Sequence, residues 1–77
     1  MREMKIKTEV AGRISALPFG VGAAVKAGDD IATVEAMKME IPVSSPASGT
    51  IKAFLVAIGD PVEEEQALAI LEIPSGA

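Results

Sequence analysis

The residue in this chain best suited to covalent chemistry is Lys38, within the stretch VEAMKMEIPV from Val34 to Val43. It is the only basic residue between Lys26 and Lys52, with Met37 and Met39 at its sides and Glu35 and Glu40 outside them. A lysine amine is nucleophilic only when unprotonated, and a free one, with a pKa near ~10.4, is almost wholly protonated at neutral pH. Catalytic lysines are activated by burial or by a neighbouring cation, whereas Lys38 is expected to be exposed among acids, which favour its charged form. It reads as an acceptor amine that a partner enzyme must deprotonate, and not as a catalyst.

Little else in the chain offers chemistry. Cysteine and histidine are both absent, which removes thiol catalysis, thiolate metal sites, disulfides and the commonest general base. Glu63 to Glu65 reads as a solvated face and Asp29 with Asp30 as a turn, with no carboxylate cluster suited to a metal. The net charge of −4 at pH 7 repels phosphate backbones and anionic lipid, so nucleic acid and membrane surfaces are not expected partners. The opening residues MREMKIKTEV contain no apolar run, and nowhere do 18 apolar residues follow one another. The expected location is cytoplasmic.

An isolated amine becomes useful only if the fold presents it. The chain of 77 residues is 49% hydrophobic but only 3% aromatic, so one small domain with an aliphatic core is expected. Read locally, DPVEEEQALAILE from Asp60 resembles a helix with an N-cap, proline at its first position and acids in its first turn. An internal repeat overrides that reading. GRISALPFGVGAAVKAGDDIATVEA from Gly12 aligns without a gap on GTIKAFLVAIGDPVEEEQALAILEI from Gly49, an offset of 37 residues.

Ile14 then meets Ile51, Gly22 meets Gly59, Val25 meets Val62, Ile31 meets Leu68 and Val34 meets Leu71, while upstream Ile6 meets Val43. The stretch PVEEEQ must do what AVKAGD does, and Gly28 in that partner favours a turn over a helix interior. Both units alternate with period two, which predicts about four short strands each. Turns are expected at Gly12, at Gly20 with Gly22, at Gly28 with Asp29, at Pro46 with Gly49, and at Gly59 with Asp60. The predicted fold is all-β: a flattened barrel or sandwich of two four-stranded antiparallel sheets related by a pseudo-twofold axis.

Lys38 falls where the first unit, to about residue 37, meets the second, from about 38 to 74. Its own counterpart is Ser75 in the tail, so the axis is expected to place the joint hairpin far from the chain ends. Met-Lys is a poor hairpin turn beside Asn-Gly or Asp-Gly, because a type I′ turn needs positive φ at both central residues. If Met37 and Lys38 occupy it, their backbone is strained, as is common at functional sites.

EAMKME from Glu35 to Glu40 resembles the attachment motif of biotinyl domains, the biotin carboxyl carrier proteins. The following VSSPASGTI resembles that family's approach to its second repeat, and the similarity runs from about Met4 to Ile73 within a single domain of residues 1–77. The resemblance implies that Lys38 receives biotin as an amide from a biotin protein ligase. Met37 and Met39 would then be recognition and positioning residues, with Glu35 and Ala36 as the motif's flank. It further implies a non-catalytic, monomeric carrier shuttling a carboxyl group from a biotin carboxylase to a carboxyltransferase.

Related lipoyl domains present Asp-Lys-Ala where this chain has Met37, Lys38 and Met39, so a lipoyl carrier of acyl or aminomethyl groups is the alternative in the same fold. An unmodified module that docks through the hairpin is the alternative of another kind. Equal spacing from Gly12 to Gly22 and from Gly49 to Gly59 leaves no room for the protruding thumb of some bacterial carriers. A stand-alone carrier without a thumb is expected, and Ala23, standing where the second unit has Asp60, should lack one polar tie of its turn.

Overall fold

Among the described residues twelve apolar side chains make the core, and the 37-residue offset sorts all of them into six pairs: Ile6 with Val43, Ile14 with Ile51, Val25 with Val62, Ile31 with Leu68, Ala32 with Ala69, and Val34 with Leu71. The structure is a computed structural model and describes residues 2–74. Ser75, the counterpart of Lys38 in the repeat, lies outside the described residues. The inward residues alternate along eight strands: β1 (Arg2–Lys7), β2 (Gly12–Ala16), β3 (Ala24–Val25), β4 (Asp30–Ala36), β5 (Met39–Ser44), β6 (Gly49–Phe54), β7 (Pro61–Val62) and β8 (Ala67–Ile73). They form two four-stranded antiparallel sheets, in the orders β1-β8-β6-β3 and β5-β4-β2-β7.

The pseudo-twofold extends to individual backbone pairs. Val34 opposite Ile41 in the β4–β5 hairpin repeats as Leu71 opposite Met4, and Gly12 opposite Val62 repeats as Gly49 opposite Val25. Irregularities recur as well: the register shift between Asp30 and Ala32 against β5 has its equivalent between Ile6 and Lys7 against β8. Buried Thr8 and Ser45 are counterparts too, each hydroxyl donating to the carbonyl two residues on, of Val10 at 2.8 Å and of Ala47 at 2.6 Å.

The segment PVEEEQ is a short strand and a turn, not a helix, because its side chains reproduce the partner turn's bonds. Asp29 accepts from the Lys26 amide at 2.9 Å, and Gln66 accepts from the Glu63 amide at 2.9 Å. Gly28 has φ 94° and its equivalent Glu65 has φ 67°, so a glutamate occupies a left-handed position that costs an L residue about 1 kcal/mol. Glu65→Gly should relieve that strain but give the unfolded chain more freedom, for a net stabilisation of no more than about 0.5 kcal/mol in urea unfolding, with an unchanged m-value.

The turn that ends at Ala23 also behaves as its composition predicts. It keeps the backbone bond from Ala23 N to Gly20 O, 3.1 Å, matching Asp60 N to Ala57 O at 3.0 Å. Only the second turn adds a carboxylate, Asp60 Oδ2, accepting from Ala57 N at 2.9 Å. Gly12 and Gly49 depart from expectation: they are not turn residues but the first residues of β2 and β6. A Cβ on Gly12 would strike the Glu35 carbonyl and come within 2.8 Å of Val34 Cγ1. At Gly49 the equivalent neighbours are the Glu72 carbonyl and Leu71. These glycines permit close approach of backbones, which is the other use of a residue without a side chain.

Candidate functional site

A 7-residue strand and a 6-residue strand, β4 and β5, run together to a two-residue connection made by Met37 and Lys38. Their φ angles are 51° and 65°, both left-handed, as a type I′ turn requires and as neither side chain favours. Ala36, half-buried, stands opposite Met39 and closes the hairpin. Lys38 is exposed, and among the described residues it enters no ion pair. Met37 and Met39 are 93% and 64% exposed, an unusual state for methionine. The three residues lie together on the projecting tip, with Glu35 one pair below on the exposed outer face.

The rest of the fold carries the tip away from Arg2 and Ile73, the outer ends of β1 and β8. β1 runs toward it, since the short segment after Lys7 leads to Gly12, which lies against Val34 and Glu35. Arg2, opposite Ile73, therefore marks the far end of a body measuring 41 × 20 × 19 Å.

Pairing parity below the tip decides the chemistry of its neck. In a two-residue hairpin the closing pair is hydrogen-bonded, so Glu35–Glu40 and Thr33–Pro42 are non-hydrogen-bonded pairs. Pro42 thus turns its nitrogen outward: it costs β4 no bond and removes a donor from the free edge of β5, which discourages strand addition there. Glu35 and Glu40, brought close by the same parity, are like charges directly opposite each other. On its other side Glu35 pairs with Arg13 of β2, a cation directly opposite it.

At the far end the equivalent pair, Glu3 and Glu72, is relieved differently: Lys52 forms a salt bridge with Glu3. The hydrogen bond to Glu3, then the charges of Glu3 and Glu72, raise the Lys52 pKa above its usual 10.5. A raised amine contributes its stabilisation below the unfolded value, and loses it as pH climbs through the folded one. That contribution is therefore intact at neutral pH.

Sequence reasoning singled out Glu35, Ala36, Met37, Lys38 and Met39, and the structure brings all five onto one hairpin. It missed a groove on the tip side of the molecule, where Lys7 to Val10 come beside Ile41 to Ser44 of β5. Strand alternation alone could not reveal it, because it lies between edge strand β5 and the connection that follows β1, the edge strand of the other sheet.

Fold and tip together define a class: a small all-β domain that presents one lysine on a strained hairpin. The chain belongs to the family described as "Biotin-requiring enzyme", the biotin/lipoyl attachment family, whose model matches residues 4–71. It is 50% identical over 48 residues to the biotin carboxyl carrier protein of acetyl-CoA carboxylase of Pseudomonas aeruginosa, covering 62% of this chain and 31% of that protein. To pyruvate carboxylase of Aspergillus niger it is 50% identical over 42 residues, covering 54% of this chain and 4% of that protein. Among solved structures, the urea carboxylase of Kluyveromyces lactis superimposes with a TM-score of 0.88 at 32% identity, over 94% of this chain and 6% of that one. This chain thus spans about a third of the carrier relative and a small fraction of the multidomain enzymes.

Proposed function

We propose that the chain is a biotin carboxyl carrier module in which Lys38 is the attachment residue. The observation that carries this reading is the lysine of AMKM held at the apex of a left-handed two-residue turn, exposed and free of ion pairs among the described residues. Biotin fits the site as an amide on Lys38 Nζ: the amine projects from the tip, and acylation removes its charge without breaking a salt bridge. When bound, biotin supplies a ureido nitrogen that accepts and releases a carboxyl group.

This chain's own residues contribute position. The strained turn fixes where the arm starts, and the sheets behind it, with their fully packed aliphatic core, keep that origin rigid. A tether of this kind raises the local cofactor concentration to roughly millimolar at any active site within reach. Met37 and Met39 are adaptable apolar flanks for a biotin protein ligase and for successive enzyme surfaces. The module itself is non-catalytic. Its partners on this reading are a biotin carboxylase and a carboxyltransferase, met in the cytoplasm by a monomeric domain comprising residues 1–77, with its core at about 4–73.

The test is carboxyl loading. Biotinylated protein incubated with a biotin carboxylase, ATP and radiolabelled bicarbonate should take up acid-labile label in proportion to its biotin content. Lys38→Arg protein should take up none. Label at background in fully biotinylated protein, with a carboxylase active on free biotin, would overturn the carrier reading.

A further inference from the structure

We propose that the groove between β5 and the segment after β1 is a resting site for the bicyclic ring of the Lys38-linked biotin, a proposal that rests on the carrier reading above. The groove has a volume of about 250 Å³ and is lined by Lys7, Thr8, Glu9, Val10 and residues Ile41 to Ser44. This is just below the roughly 300–1,000 Å³ of drug-sized ligand sites and suits a small bicyclic ring, not a larger ligand.

Reach is the first argument. Ile41 and Val43 lie three and five residues from Lys38, about 10 to 17 Å along a strand at ~3.3 Å per residue. The lysine stem and the valeryl chain together offer about eleven bonds, or roughly 14 Å when extended, given carbon–carbon bonds of about 1.5 Å. The arm spans the distance without unfolding the hairpin.

A continuous apolar track joins the two places. Met39, Ile41 and Val43 occupy alternate positions on β5 and share one face, with exposure falling from 64% at Met39 through half-buried Ile41 to 8% at Val43. Val10 supplies the apolar wall on the other side.

The polar rim matches a cyclic urea, which has two N–H donors and one carbonyl acceptor. The Thr8 hydroxyl is already satisfied by Val10, and Ser44 Oγ donates to Asp30 Oδ1 at 3.0 Å. Two charged groups remain for the ring, the Glu9 carboxylate to accept its N–H and the Lys7 ammonium to donate to its carbonyl; among the described residues neither enters an ion pair.

The repeat supplies an internal control. Its equivalent positions at the far end are Ser44, Ser45, Pro46 and Ala47, with Met4, Lys5, Ile6 and Lys7 from β1. Glu9 has become Pro46, Val10 has become Ala47, and Pro42 is matched by Lys5. The carboxylate and the larger apolar wall thus occur only on the Lys38 side of an otherwise matched pair.

The test compares amide and methyl NMR spectra of the protein before and after ligase-catalysed biotinylation, with intact mass confirming the increment. Resonances of Val10, Ile41 and Val43 should shift, and nuclear Overhauser contacts should join their methyls to the ring protons. Glu9→Ala and Lys7→Ala, both at exposed positions, should be biotinylated as fully yet show those shifts reduced by half or more. A full mass increment with changes confined to residues 36–40 overturns the resting site and leaves the carrier reading standing. No increment at all overturns both.

Discussion

Gly12→Ala should destabilise the domain by about 3 kcal/mol, and Gly49→Ala by a similar amount, measured as loss of urea midpoint at constant m-value. The cause is a collision with backbone. A methyl on Gly12 meets the Glu35 carbonyl and Val34 Cγ1, while one on Gly49 meets the Glu72 carbonyl at 2.5 Å and Leu71 Cγ at 3.1 Å. Neither carbonyl can rotate away, since each belongs to a central strand, β4 or β8, hydrogen-bonded on both sides. A domain of this length has a stability near the low end of 5–15 kcal/mol, so either change removes a large share of it. Gly12→Ala carries a second consequence, because Glu35 lies in the neck of the lysine hairpin. Modification of Lys38 should fall even at temperatures where the variant remains folded. Gly49→Ala disturbs the opposite end and should spare it.

Exchanging the two turn residues, so that Met37→Lys is combined with Lys38→Met, should lower kcat/KM for ligation by roughly 100-fold while leaving the melting temperature within a degree or two. Composition, charge and the type I′ backbone all survive, because both positions have similar positive φ, 51° and 65°. What changes is where the amine stands on the tip, together with its N-terminal neighbour, which becomes Ala36: successive turn residues project differently, and a displacement of about 1 Å at a reacting atom can cost on the order of 10²-fold. A loss smaller than tenfold would show that exposure on the tip suffices, and that neither the turn position nor a methionine on each side contributes much.

Most of this architecture could be read from the chain because it is written twice. Each core residue in one unit has a partner 37 residues away, so a helix-like stretch such as PVEEEQ could be judged against AVKAGD, whose glycine admits a turn. Gln66 then proves to do the work of Asp29, and Glu65 tolerates the backbone of Gly28. The strained tip was legible for the opposite reason: Met-Lys lies at the joint of the units and has no turn chemistry to recommend it.

Other features were hidden by physics that local pattern does not encode. Glycine marks both turns and close approaches, and only the packed structure shows that Gly12 and Gly49 serve the latter. The groove beside β5 joins segments more than thirty residues apart through the edges of two sheets, so alternation within either segment carries no sign of it. The acyl group is hidden in another way. Fold and turn geometry present an amine equally to biotin or to lipoate, and family membership spans both; the distinction rests on the methionine flanks and on the similarity to biotin carboxyl carrier proteins.

The most direct test of the account is the intact mass and peptide map of the purified protein after treatment with a biotin protein ligase, biotin and ATP, beside a Lys38→Arg control. One biotinyl increment is expected, mapped to Lys38 and absent from the control. An unmodified Lys38 in the presence of a ligase active on another acceptor, a biotinyl group on a different lysine, or modification of Lys38 by lipoate alone would contradict it.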